Sequence, residues 1–152
     1  MNNNVEIVKN FKQSRDVVFN AFSRAEALEK WLSPDIDSVT PTVLEFDFRV
    51  GGLYRISYRN DMDDSVSFLS GSYTDISEPG LLIFTWAWDS PDEHADVQSR
   101  VRVELYEELN SGTRMVLRHE RLTAHGMAKR HQSGWENTLI NLEEYVHLST
   151  NQ

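Results

Sequence analysis

Residues 97–120, VQSRVRVELYEELNSGTRMVLRHE, contain the most regular alternation in the chain. Apolar and polar residues alternate from Val97 to Leu105 and again from Met115 to His119, and NSG at 110–112 favours a turn between them. A repeat of two residues is typical of β-strands that have one face on a core and one in solvent. The stretch therefore predicts an antiparallel hairpin in which His119 shares the inward face of Met115.

The pattern changes after Gly126, where apolar and aromatic side chains recur three or four residues apart. This spacing predicts an amphipathic helix of about 20 residues, roughly 30 Å long. Its apolar stripe consists of Met127, His131, Trp135, Leu139, Leu142, Tyr145 and Val146. Gly134 lies inside this helix, where glycine costs roughly 1 kcal/mol relative to alanine. Because that cost is tolerable where a strand or a bound molecule comes close to the backbone, Gly134 favours an internal cavity.

The residues before 97 complete the fold prediction. A first strand at 5–11 is followed by two short helices, one capped by Ser14 and one starting with a capping box at Ser23 and ending before Pro34. About six consecutive antiparallel strands then precede the long helix. We therefore predict an α+β fold in which a curved antiparallel sheet of about seven strands wraps around the C-terminal helix.

Composition and charge limit the function. The chain has 152 residues, which predicts a single domain over 1–152, and it has no cysteine, which excludes disulfides and thiolate nucleophiles. Its formal net charge of -9 disfavours binding to nucleic acid and to anionic membranes, so neither is expected as a partner. We expect no signal peptide and no membrane-spanning segment, and hence a cytoplasmic protein.

The landmarks along these elements resemble the helix-grip (START-like, SRPBCC) superfamily, and more narrowly the family named after activators of the heat shock protein 90 ATPase. The resemblance extends from about residue 5 to 148. The residues that carry it are Val17, Phe19, Ala21, Phe22, Trp31, the sequence DFRVGG at 47–52, Gly71, LIFTW at 82–86, Gly112, Thr113, Leu117, His119, His131, Gly134, Trp135, Leu139 and Leu142. The resemblance implies a helix-grip fold with a cavity between sheet and helix, and it does not fix a reaction.

Several motifs have a structural interpretation. The DFRVGG sequence at 47–52 joins two strands, whereas phosphate-binding loops lead into a helix, so we interpret it as a hairpin with Asp47 and Arg49 on one face. Lys129 and Arg130 are interpreted as part of a solvated helix face. The histidines have no spacing typical of a metal site, so no metal and no cofactor are predicted.

His119 and His131 have two interpretations. A histidine on an apolar face is most often a hydrogen-bonded core residue, but either ring could instead reach a cavity and bind a polar group of a ligand or act as acid or base. In an apolar cavity, both should be neutral at pH 7 because burial disfavours the charged form.

The sequence thus predicts binding of a small, largely apolar ligand, aromatic or lipid-like, between the sheet and the C-terminal helix. The residues predicted to form the site are Trp31, Tyr54, Tyr58, Phe68, Trp86, His119, His131 and Trp135. One alternative is a co-chaperone-like module that stimulates a chaperone ATPase through its outer surface. A second alternative is a cyclase- or hydrolase-type enzyme with a pocket histidine as base. Monomer and homodimer both remain open.

Overall fold

A computed structural model describes residues 3–150 as one antiparallel sheet and three helices. The strands are β1 (Val5–Phe11), β2 (Val39–Phe46), β3 (Leu53–Asn60), β4 (Val66–Ser77), β5 (Leu81–Trp88), β6 (Ser99–Glu107) and β7 (Thr113–Glu120). The helices are α1 (Arg15–Asn20), α2 (Ala25–Trp31) and α3 (Met127–Thr150). The predicted α+β helix-grip architecture, with two short helices after the first strand, is confirmed.

The seven strands pair in the order β1-β7-β6-β5-β4-β3-β2. The hairpin predicted from residues 97–120 is the β6–β7 pair, in which Val103 lies opposite Leu117. The register shifts in β2 between Val43 and Glu45 and in β4 between Tyr73 and Asp75. Because such irregularities bend a strand and increase its twist, they curve the sheet on the side of β2 to β4.

Helix α3 packs on the concave face of the sheet. Its buried residues are Met127, His131, Trp135, Thr138, Leu139, Leu142 and Val146, which include most of the predicted stripe. On the sheet, Val101, Val103, Met115 and Leu117 are at most 1% exposed. The main core lies between the three helices and the concave face of strands β3 to β7.

Helix α1 begins after Ser14 as predicted, whereas α2 begins differently from the prediction. Ser14 occupies the N-cap position of α1 with an extended backbone, but its side chain makes no capping hydrogen bond. Helix α2 begins at Ala25 with Arg24 as its N-cap, so the predicted capping box at Ser23 is wrong. The Ser23 hydroxyl instead donates to the carbonyl oxygen of Asn20, 3.1 Å away, at the end of the preceding helix.

The hairpin at 47–52 has the structural role predicted for it. Arg49 Nε lies 2.7 Å from Asp47 Oδ2, and Gly51 has a φ of +86°. A Cβ at Gly52 would lie 1.9 Å from the carbonyl oxygen of Asp47, so only glycine fits this turn.

Candidate functional site

A pocket of about 370 Å³ lies between α3, the concave face of β3 to β5, and the segment that follows α2. It is lined by Leu32, Ser33, Pro34, Val39, Tyr58, Ser67, Trp86, Trp88, Arg130, His131, Ser133, Gly134, Trp135, Asn137 and Thr138. Pro34, Ser133 and Asn137 are exposed and border the solvent side. The volume is within the range of small-molecule sites.

Small side chains on α3 leave this space open. A Cβ placed on Gly134 would find no atom within 4 Å, although the residue sits in the middle of a helix that packs on the sheet. The sequence signal at Gly134 therefore marks the pocket, and no strand crosses the backbone there.

Three tryptophans form the aromatic wall of the pocket. Trp86 lies at the centre, with ring centroids 5.3 Å from Trp135 and 5.9 Å from Trp88. Trp88 donates its indole hydrogen to His131 Nε2 at 3.1 Å, and Trp135 donates to His119 Nδ1 at 2.9 Å. Two of the three indole groups are thus satisfied within the protein and present mainly carbon to the pocket.

His131 is held as a neutral imidazole. Its Nε2 accepts from Trp88, and its Nδ1 lies 2.8 Å from the carbonyl oxygen of Met127, so the ring proton is on Nδ1. Burial is the main cause that lowers the pKa of His131 to about 4; the Met127 carbonyl opposes this shift, and nearby Arg130 adds to it. The ring is therefore neutral at pH 7.

His119 lies behind the aromatic wall and is completely buried. Ser99 Oγ donates to the carbonyl oxygen of Trp86 at 2.8 Å, so it accepts from His119 Nε2, also at 2.8 Å. Burial, followed by the nearby His131 ring, lowers the pKa of His119 well below its ordinary value. Both nitrogens of both histidines are engaged, so neither ring has a free lone pair to serve as a base.

Arg130 links the pocket to the segment between β5 and β6. Its two terminal nitrogens each lie 2.8 Å from a different oxygen of Asp92, and one also lies 2.8 Å from His94 Nδ1. The guanidinium carbon is 5.1 Å from the centre of the Trp88 ring. Lys129 is exposed as predicted, but Arg130 is not part of a solvated helix face, because its guanidinium is paired with Asp92 and lies against Trp88 at the pocket.

Asp92 is held as a carboxylate at this link. Burial opposes its ionisation, but hydrogen bonds from Arg130 and from the backbone of His94 outweigh this and lower its pKa. The negative charge of Asp92 thus compensates the positive charge of Arg130 within the protein itself.

A model of the Activator of Hsp90 ATPase homolog 1-like protein family matches residues 12–147. The chain belongs to this family. Its match covers α1 through nearly all of α3, so every wall of the pocket lies within the family region. Among curated proteins there is no match.

Solved structures of similar fold come from several bacteria. The crystal structure of protein CV1439 from Chromobacterium violaceum has a TM-score of 0.84 at 21% identity, covering 96% of this chain and 98% of that one. The AHSA1 protein SPO3351 from Silicibacter pomeroyi has a TM-score of 0.82 at 23% identity, covering 96% and 99%. CalU16 from Micromonospora echinospora has a TM-score of 0.67 at 22% identity, covering 94% and 75%. At these identities the likeness concerns the fold.

Four of the eight predicted site residues line the pocket of this family member, namely Tyr58, Trp86, His131 and Trp135. His119 supports the wall from behind through Trp135. Trp31 and Tyr54 line a separate inner space of about 20 Å³. Their polar groups are used there, since Trp31 donates to the carbonyl oxygen of Ala21 at 3.0 Å and Tyr54 to that of Thr85 at 2.6 Å.

Phe68 is a correction to the predicted site. It lies opposite Ser57 in the β3–β4 pairing, and the Arg55 guanidinium sits 4.8 Å from its ring centre. Its neighbours Ser67 and Leu69 point to the concave face, so Phe68 lies on the convex face and cannot contact the pocket.

Sequence reasoning missed most of the smaller residues that line the pocket, among them Leu32, Ser67 and Thr138. For the pocket residues on α3, the sequence offered one signal, namely the small or polar side chains beside Gly134. Leu32 has a further role, because it lines both the pocket and the inner space and separates the two.

Residues 3–150 contain neither a candidate metal site nor a helix that could cross a membrane. No cluster of three or more histidine, aspartate or glutamate side chains could hold a metal ion. No helix in this part of the chain is long and apolar enough to cross a membrane.

Proposed function

We propose that the protein binds a small, largely apolar molecule in the pocket between α3 and the sheet. The observation that carries this proposal is the 370 Å³ space bordered by Trp86, Trp88 and Trp135. The indole N–H groups of Trp88 and Trp135 are hydrogen-bonded to histidines, so these rings offer mainly apolar surface. Covering about 200 Å² of apolar ligand surface would contribute about 5 kcal/mol before the cost of association.

The proposal includes the setting expected from the sequence. The protein acts in the cytoplasm as a monomer or homodimer, with a small hydrophobic molecule as its partner and without nucleic acid, membrane or cofactor. We do not propose catalysis by His119 or His131, because each ring already uses both nitrogens.

The test uses N-phenyl-1-naphthylamine, a neutral dye that fluoresces in apolar surroundings. Gly134→Leu places a side chain in the open space of the pocket, in a helix where leucine is favourable. We expect it to lower dye affinity at least tenfold without loss of stability. The matched control is Glu136→Leu, which adds the same side chain at an exposed position of α3 and should bind dye like the wild type.

Two results would contradict the proposal. The first is a wild-type protein that does not bind the dye above background. The second is equal loss of binding in Gly134→Leu and Glu136→Leu, which would place the dye outside the pocket.

A co-chaperone-like role is the second candidate, and the family description is what favours it. Such a module would act through its outer surface, so it predicts that purified protein raises the ATPase rate of a heat shock protein 90. Gly134→Leu should leave that stimulation unchanged, which separates the two candidates.

A further inference from the structure

Besides that of the exposed Ser133, three hydroxyl groups of the pocket have no hydrogen-bond partner within residues 3–150. They belong to Tyr58 on β3, Ser67 on β4 and Thr138 on α3. Tyr58 and Thr138 are only 6% and 4% exposed. The two side chains are buried, but their hydroxyl oxygens are accessible from the pocket, so a molecule in the pocket can bond to them. The indole nitrogen of Trp86, which lines the same pocket, is itself buried without a partner among residues 3–150.

Their placement puts these hydroxyls on two facing walls. Tyr58 lies directly opposite Ser67 in the β3–β4 pairing, so both side chains stand on the same side of the sheet. Thr138 lines the pocket from the helix, and it does not make the bond to its own helix backbone that Thr150 makes at 3.2 Å. A molecule between the walls can therefore reach hydroxyls from both sides.

The pocket offers no free charge to a ligand. Arg130 is paired with both oxygens of Asp92, and burial keeps His131 neutral. Burial also raises the pKa of Tyr58, so its hydroxyl stays protonated and can donate. An ionised ligand would lose its hydration without gaining a counter-ion here, which is costly.

We propose that the ligand is an uncharged molecule with an aromatic or other apolar body and at least one hydroxyl or carbonyl group that bonds to Tyr58 and Thr138. The inference rests on the proposed function and goes further by naming the ligand's polar chemistry. Hydroxyls fit this role because each can donate to a carbonyl or accept from a hydroxyl.

The experiment compares naphthalene, 2-naphthol and 2-naphthoate as competitors of N-phenyl-1-naphthylamine at pH 7. These probes share one ring system and differ in carrying no polar group, an uncharged hydroxyl or a charge. We expect the wild type to bind 2-naphthol about 3- to 10-fold more tightly than naphthalene, as one to two neutral hydrogen bonds imply. Binding of 2-naphthoate should be the weakest of the three.

The variants Tyr58→Phe and Thr138→Val remove the hydroxyls and keep the size of the side chains. Each should reduce the preference for 2-naphthol over naphthalene, and the double variant should abolish it. The matched control is Tyr73→Phe, which removes the hydroxyl of a buried tyrosine that lines the inner space and not the pocket. This control should keep the wild-type preference.

The outcomes separate this inference from the proposed function. If the dye and naphthalene bind but 2-naphthol shows no preference, or if 2-naphthoate binds most tightly, the inference is wrong and the proposed function stands. A preference that survives in the double variant also overturns the inference. If neither dye nor naphthalene binds, the proposed function fails and the inference fails with it.

Discussion

On acidification, this protein should begin to lose stability at a higher pH than its carboxylates alone would cause, because two buried histidines are held neutral. The pKa of His131 is lowered from 6.5 to about 4, and that of His119 is lowered well below 6.5. Between these values the unfolded chain binds protons that the folded chain does not bind, so stability falls as the pH falls. The stabilising contribution is complete above about pH 6.5 and decreases steadily toward pH 4.

The magnitude follows from the His131 pKa. With 6.5 in the unfolded chain and about 4 in the folded protein, acidification from pH 7.5 to 5 costs about 2 kcal/mol of unfolding free energy from His131 alone. His119 adds a loss of the same sign. Nearby Arg130 adds to the lowering of the His131 pKa and its partner Asp92 opposes it, so burial remains the main cause.

The assay is urea unfolding followed by far-ultraviolet circular dichroism at several pH values between 7.5 and 5. The variant His131→Gln does not titrate, and its side-chain carbonyl can accept the hydrogen bond from Trp88. Its stability loss over this range should be about 2 kcal/mol smaller than that of the wild type. The control His125→Gln replaces an exposed histidine in the turn before α3 and should follow the wild-type curve. Parallel curves for the wild type and His131→Gln would refute the reasoning.

Three substitutions test other parts of the structure. Trp135→Ala should cost about 3–5 kcal/mol in urea unfolding, because it leaves a core cavity and an unpaired His119 nitrogen; a loss below about 1 kcal/mol would contradict this. Leu32→Ala should cost about 2–5 kcal/mol and join the inner space to the pocket, so affinity for anthracene should rise relative to naphthalene. An unchanged affinity ratio would show that Leu32 does not separate the two spaces. Asp92→Asn should cost about 1 kcal/mol and speed hydrogen exchange between β5 and β6, because Arg130 loses its charged partner; unchanged exchange would argue against that link.

The fold could be predicted from the sequence because the two-residue alternation of the strands and the three- to four-residue spacing of the long helix are both regular. Alternation placed Met115, Leu117 and His119 on one face, and all three are fully buried. The helical spacing placed His131 and Trp135 on the packed side of α3. These patterns depend on local geometry, which is the same in every strand and helix.

The site was predicted only in part because it depends on long-range geometry. Phe68 was assigned to the pocket because it is aromatic, but its register against Ser57 places it on the convex face. The pairing of Arg130 with Asp92 joins positions 38 residues apart, and no local pattern indicates it. Most of the smaller residues that line the pocket likewise become apparent only when the helix is docked on the sheet.

The two tryptophan–histidine hydrogen bonds also determine where α3 lies along the sheet. The hydrophobic effect has no directional preference, whereas a hydrogen bond requires a defined distance and angle between its donor and acceptor. The bonds from Trp88 to His131 and from Trp135 to His119 join strand and helix at two separate points. A shift of one helical turn, about 5.4 Å, would break both. These two N–H···N bonds therefore fix the position of α3 beside Gly134, and we expect the opening there to keep its width when a molecule binds.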